Sequence, residues 1–252
     1  MTVTLPLPTK RDEAWRYADL KALEPIWPKL DGPEKVTVAD GESASRQITV
    51  LPMIDGVGIV DLDITIGDNA TFAIHVLASA ADYGRIQVKA TLGKGAHFEL
   101  GGAILGSGTQ TLEIVTETIH AQPNATSNQV VRSVLAGKAT GSFLGRINVV
   151  RDAQKTDAAQ SVKAMLLDRT ATANAKPELE IFADDVKCAH GATVGELDKQ
   201  ALFYMAARGL PPELAQKLML QAFIADAFVS MDDDEQRAII EEKALAVLEK
   251  LS

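Results

Sequence analysis

Ile66-Gly67-Asp68-Asn69-Ala70-Thr71-Phe72-Ala73-Ile74 is echoed one period later by Leu92-Gly93-Lys94-Gly95-Ala96-His97-Phe98-Glu99-Leu100. In both stretches a corner of small and polar residues leads into strict apolar/polar alternation. Successive side chains of a strand point to opposite faces, so this alternation is the mark of a half-buried strand. The same texture fills residues 35–195, in Ile64-Thr65-Ile66, Ile86-Gln87-Val88-Lys89-Ala90, Leu112-Glu113-Ile114, Ile147-Asn148-Val149 and Leu179-Glu180-Ile181. Further corners fall at Gln122-Pro123-Asn124-Ala125 and Ala136-Gly137-Lys138-Ala139. They recur at a blurred period of roughly 20–30 residues, within the range of solenoids. No long helical stripe interrupts the region, which disfavours a doubly wound α/β fold. Between a β-sandwich and a β-helix, the echo favours stacked coils. Each rung of a β-helix is covered only by its neighbours, so both ends call for caps.

The terminal segments are placed to supply them. In residues 1–34, Trp15, Leu20 and Leu23 fall on one side of a short helix bounded by Pro25 and Pro28. This reads as a segment anchored on the body by its tryptophan, with a docking arm as the alternative. After Gly195, Asp198 can cap a helix running to about Arg208, and Gly209 supplies a left-handed stop. A second helix starts at Pro212 and runs to about Val229, and the acidic run Asp232–Glu235 opens a third. The fold expected is therefore mainly β: an N-terminal helical segment over 1–34, a parallel β-helix core over 35–195 and a C-terminal α-helical domain over 196–252. The second helix is apolar over more than one face, from Leu214 and Leu218 to Phe223 and Phe228. A cap needs one apolar stripe, so the other predicts a protein partner.

Thirty-four acidic against 25 basic residues give a net charge of −9. That field repels phosphate backbones, and no basic stripe with interleaved aromatics counters it, so nucleic-acid binding is not expected. No apolar run approaches the length of a membrane span, and no basic-then-apolar leader stands at the N-terminus. The single cysteine cannot make an intrachain disulfide and fits a reducing compartment, which predicts a cytoplasmic protein.

Gly-x-Ser-x-Gly, His-Glu-x-x-His and P-loop signatures are absent from the sequence, and its Gly-rich pieces lack the strand-then-helix setting of a nucleotide site. His75, His97 and His120 lie in strand-like segments, and His75 and His97, on the polar phase, read as surface histidines. Cys188 and His190, two residues apart, share a face if extended. A thiolate beside an imidazole suits iron, zinc, copper or an iron–sulfur cluster. The structural alternative makes Cys188 a small buried apolar residue and His190 a turn residue before Gly191. One cysteine and four histidines fall short of a full cluster ligand set, so a cluster would need ligands from a second chain.

The run Asp184-Asp185-Val186-Lys187-Cys188-Ala189-His190-Gly191-Ala192-Thr193-Val194-Gly195, followed by Leu202-Phe203-Tyr204 and Arg208-Gly209, closely resembles the SufD family of iron–sulfur cluster assembly proteins. Glu13, Trp15, Arg16, Tyr17 and Leu20 resemble that family's N-terminal segment, with Ala18 where threonine is more usual. The resemblance implies a right-handed parallel β-helix with C-terminal helices and a non-enzymatic scaffold role. It implies a SufB-like paralogue and a SufC-like ABC ATPase as partners, with homodimers possible for the isolated chain. It also implies Cys188 at the paralogue interface, His190 in cluster formation, and a transient cluster held by the complex but no cofactor bound tightly by the isolated chain. Leu202, Tyr204, Leu218, Phe223 and Phe228 are the candidate partner contacts on the helices. Family members are commonly longer, with an N-terminal helical region largely lacking from this sequence. The rival readings are a β-helix acyltransferase, with His97 or His120 as base, and a purely structural homodimer. The six-residue repeat of such acyltransferases fails here after one turn.

Overall fold

The computed structural model describes residues 6–49, 51 and 53–251, so the first five residues of the N-terminal segment lie outside it. Among the described residues the chain forms thirteen strands. The first six are β1 (Glu34–Val38), β2 (Ser43–Ile48), β3 (Met53–Ile54), β4 (Val57–Ile66), β5 (Thr71–Ala78) and β6 (Tyr83–Leu92). The rest are β7 (His97–Gly106), β8 (Thr111–His120), β9 (Thr126–Leu135), β10 (Thr140–Val149), β11 (Asp157–Leu166), β12 (Thr172–Ile181) and β13 (Lys187–Gly195). They sort into two sheets, one ordered β1-β4-β6-β8-β10-β12 and the other β2-β5-β7-β9-β11-β13. Every pairing along these orders is parallel, and only β3 runs antiparallel, against β4. The chain thus lays one strand in each sheet per coil, the parallel β-solenoid expected from the echo. Side chains one coil apart lie 26, 28, 29 and 32 residues apart along the chain. The lengthening coils explain why the sequence period is blurred.

One phase of every strand points inward. Ile64, Ile66, Phe72, Ile74, Val88, Phe98, Leu100, Ile114, Val131, Phe143 and Val162 belong to a single buried cluster between the sheets. Each such side chain contributes about 1.5–3 kcal/mol by leaving water. The corners stack as well. Gly41, Asn69, Gly95, Asn124 and Lys155 all have positive φ, and each donates its N–H to a carbonyl of the next coil's corner. Asn and Gly tolerate that conformation at least cost, which is why the corners carry them.

Both terminal segments lie on the flanks of the solenoid. The N-terminal segment has short 3₁₀ turns at Glu13–Trp15 and Trp27–Lys29 around α1 (Leu20–Leu23). It packs Leu23 and Ile26 on Val57 and Tyr83, on the outer face of the first sheet. Trp15 stands edge-on to Trp27, and the Arg85 guanidinium lies 3.8 Å from the Trp15 ring centroid. Trp15 is therefore an anchor.

The C-terminal helices are α2 (Lys199–Ala207), capped by Asp198, α3 (Pro212–Ala225), and α4 (Asp234–Leu248), capped by Asp233. Gly209, at φ 88°, makes the turn after α2. The expectation that these helices close the end of the solenoid is corrected. Outward residues Leu77, Ala103, Leu105 and Val134 form an apolar stripe on the second sheet, and Leu220, Ile224, Phe228, Ile240, Ala244 and Leu248 cover it. That stripe draws the helices onto the side and leaves the last coil open. The second helix also ends earlier than expected, at Ala225, and Phe228 sits fully buried in the turn that follows.

Candidate functional site

Val162 belongs to the interior cluster, so Ala158, Gln160 and Ala164, on its phase, also face inward. Register pairs Cys188 with Ala158, His190 with Gln160 and Ala192 with Val162. Cys188 and His190 therefore share the inner face of β13, as their spacing predicts. Among the described residues β12 pairs only with β10 and β13 only with β11, so no further coil of them covers the pair. Cys188 is half-buried against Ile147, Val149, Ala158 and Ala183, whereas His190 is exposed at the mouth. Gly191 faces the other way, opposite Ser161. Burial pushes the Cys188 thiol above its ordinary pKa, and the Asp157 carboxylate adds to the rise. A raised thiol stays protonated at neutral pH until a metal or a base takes the proton. Among the described residues no group of three or more His, Cys, Asp or Glu side chains is placed to hold a metal ion.

The solenoid interior beneath this mouth turns polar. Gln129, two rungs below His190 in the same column, accepts from the Thr116 hydroxyl at 2.8 Å and donates to Thr118 at 2.9 Å. His120 meets the Ser127 hydroxyl at 2.9 Å. Between these groups and His190 lies Gln160, buried, with neither its Oε1 nor its Nε2 hydrogen-bonded. Sequence reading missed both glutamines. The signal lay in Ala158-Ala159-Gln160-Ser161-Val162, where Gln160 takes the apolar phase.

The histidines expected on the surface divide. His97 is half-exposed and bonded to Thr126 and, through Nε2, close to Glu99. His75 is buried, which corrects that expectation for it, and His120 is buried as well. His75 takes the outward phase, but the segment after α3 covers it and Ser230 Oγ lies 3.1 Å away. His120 takes the inward phase, because the alternation of β8 places it in the column of Leu92 and Val149. Burial holds both below the ordinary histidine range, His120 at about 4. A base sealed in this interior cannot meet an external acyl acceptor.

On the helices, Phe203 is 77% exposed, Tyr204 58% and Leu218 44%. The Arg208 guanidinium lies 4.8 Å from the Tyr204 ring centroid. Leu202 and Phe223 are half-buried, Phe223 against the cluster shared with the second sheet. Phe228, fully buried in that cluster, has no surface to offer a partner. Near the open coil, Ile181, Phe182 and Val194 are exposed apolar side chains.

These features define a parallel β-solenoid protein with a helical C-terminal unit on its flank and a Cys/His pair at an open end. Residues 54–223 match the family model described as "SUF system FeS cluster assembly, SufBD core domain", and the chain belongs to that family. It is 37% identical over 115 residues to the iron–sulfur cluster assembly protein SufD of Escherichia coli, a match covering 46% of this chain and 27% of that protein. It is 36% identical over 129 residues to the chloroplastic protein ABCI7 of Arabidopsis thaliana, covering 51% and 27% respectively. With SufD of Bacillus subtilis it shares 31% identity over 133 residues, covering 53% and 30%. The matched stretches thus make up less than a third of each relative.

Proposed function

We propose that this chain is a non-catalytic scaffold subunit of iron–sulfur cluster assembly in the SUF system. The observation that carries the reading is the Cys188–His190 pair, side by side at the open end of a SufBD-family solenoid. A SufB-like paralogue docks on that end. The free edges of β12 and β13 offer it backbone donors and acceptors, and Ile181, Phe182 and Val194 offer it apolar surface. The same edge admits a second copy of the isolated chain. The cluster is cargo: His190 and Cys188 supply part of its ligands transiently, the partner supplies the rest, and the isolated chain holds none tightly. A thiolate and an imidazole suit iron, and each must lose or lack a proton to bind it.

A SufC-like ABC ATPase binds the helices, where Tyr204 and Leu218 are exposed and Leu202 and Phe223 are half-buried. ATP hydrolysis belongs to that partner. No helix among the described residues is long and apolar enough to cross a membrane. Nucleic acid is not a partner, and the single thiol fits the reducing cytoplasm. The test is iron and acid-labile sulfide in the purified complex carrying His190→Ala. Loss of both at an unchanged melting temperature is expected, with Cys188→Ser sharing the phenotype. Full loading would return both residues to a packing role.

A further inference from the structure

Among the described residues, Gln160 is the buried side chain with both of its polar atoms unpartnered. It is 3% exposed, and both polar atoms of its carboxamide lack a hydrogen-bond partner. A buried polar group left unsatisfied costs about 1–3 kcal/mol, so an orphaned amide of this kind calls for a cause. The coil below shows how the protein satisfies such a group. There Gln129 occupies the same column and faces Thr116 and Thr118, whose hydroxyls take up both of its polar atoms. One coil on, register replaces those threonines with Gly145 and Ile147, neither of which has a polar side chain. The carboxamide leans over Gly145, where a Cβ would stand 2.7 Å from Nε2. On its other side the in-register neighbour is His190.

We propose that Gln160 is a positioning residue of the Cys188–His190 site: its Oε1 accepts a ring N–H of His190, fixing the tautomer and turning the other ring nitrogen toward the mouth. In-register side chains on neighbouring strands run alongside each other at a strand spacing of about 4.8 Å, which puts the imidazole within reach by rotation about its own side-chain bonds. Imidazoles that bind metal almost always donate their second N–H to a carboxylate, a backbone carbonyl or water. A carboxamide oxygen is an acceptor of the same geometry as a backbone carbonyl. The inference rests on the scaffold reading above.

The test compares complexes of the full chain carrying Gln160→Met, Gln160→Glu and His190→Ala. Gln160→Met keeps the shape without the acceptor, and Gln160→Glu restores an acceptor of the same length. Expected for Gln160→Met are an unchanged melting temperature and a fall in bound iron and sulfide of about tenfold or more. Gln160→Glu should recover most of that loading. In full chain labelled with ¹⁵N-histidine, the ring nitrogen shifts of His190 should differ between wild type and Gln160→Met. Wild-type loading in Gln160→Met with loss in His190→Ala overturns this role for Gln160 and leaves the scaffold reading standing. Wild-type loading in His190→Ala removes the scaffold reading and this inference with it. If Gln160→Met fails to fold, the shifts are read in Gln160→Asn, whose oxygen is withdrawn by one methylene, and unchanged shifts there overturn the contact.

Discussion

Arg132 on β9 holds Asp226 at the end of α3, its Nη2 2.6 Å and its Nε 2.8 Å from one carboxylate oxygen. The guanidinium is buried and also donates to the carbonyls of Val131 and Ser161 and to the Ser161 hydroxyl, so it is fully committed. This pair pins the helical unit to the flank of the solenoid, 94 residues away in sequence. Asp226→Ala should cost about 1–3 kcal/mol, since it removes the charged partner of a buried cation while half of the lost interaction faced water. Urea denaturation monitored by circular dichroism checks it. An unchanged midpoint would mean that apolar packing alone holds the helices.

Gly101 tests the same junction from the side of the strand. A Cβ there would collide with the Ala227 carbonyl and stand 2.6 Å from the His75 ring. Gly101→Ala should therefore push the turn after α3 off the sheet, at about 1–3 kcal/mol. At Gly191 an added Cβ meets nothing within 4 Å, so Gly191→Ala should change stability by less than about 0.5 kcal/mol. Equal losses in the two variants would contradict this placement of the helices.

Stability should fall in mild acid because of His120. Its folded pKa of about 4 lies below the unfolded histidine value, so between the two the unfolded chain binds the extra proton. The contribution is fully present above about pH 6.5 and is lost as pH drops toward 4, amounting to about 3 kcal/mol over that range. His75, also lowered by burial, acts in the same sense. His120→Gln should flatten the dependence between pH 6.5 and 4, measured as midpoint against pH. A slope identical to wild type would exclude His120 as its source.

Beneath the N-terminal segment, Arg85 Nη1 lies 3.0 Å from Glu113, both side chains fully buried, and Tyr83 donates to the same carboxylate at 2.8 Å. Removing one partner of a buried ion pair leaves a charge uncompensated, so Glu113→Ala should cost about 3–5 kcal/mol. Trp15→Ala should uncover Arg85 and loosen the N-terminal segment, with much less effect on the coils. Chemical denaturation and protease nicking of the first 30 residues distinguish the two. Early nicking in Glu113→Ala without loss of global stability would assign the pair to the segment alone.

Much of the fold was legible because the inward phase is apolar and the corners are small. Ile64, Phe72, Val88, Phe98, Leu112, Ile147 and Leu179 mark seven strands by alternation alone. β9 and β11 escaped because Ser127, Gln129 and Gln160 put polar groups on the inward phase, which erases the two-residue signal. For the same reason the polar interior beneath Cys188 and His190 went unseen.

The sequence by itself determined the stacked coils, the caps of α2 and α4, and the shared face of Cys188 and His190, since each depends on local spacing and backbone preference. Only the tertiary structure decided that the helices lie on the flank, that the last coil stays open, and that His75 and His120 are buried. Those outcomes depend on which outward faces are apolar enough to attract a distant segment. Leu77, Ala103, Leu105 and Val134 come from three different strands, and they form one stripe only after the coils have stacked in register.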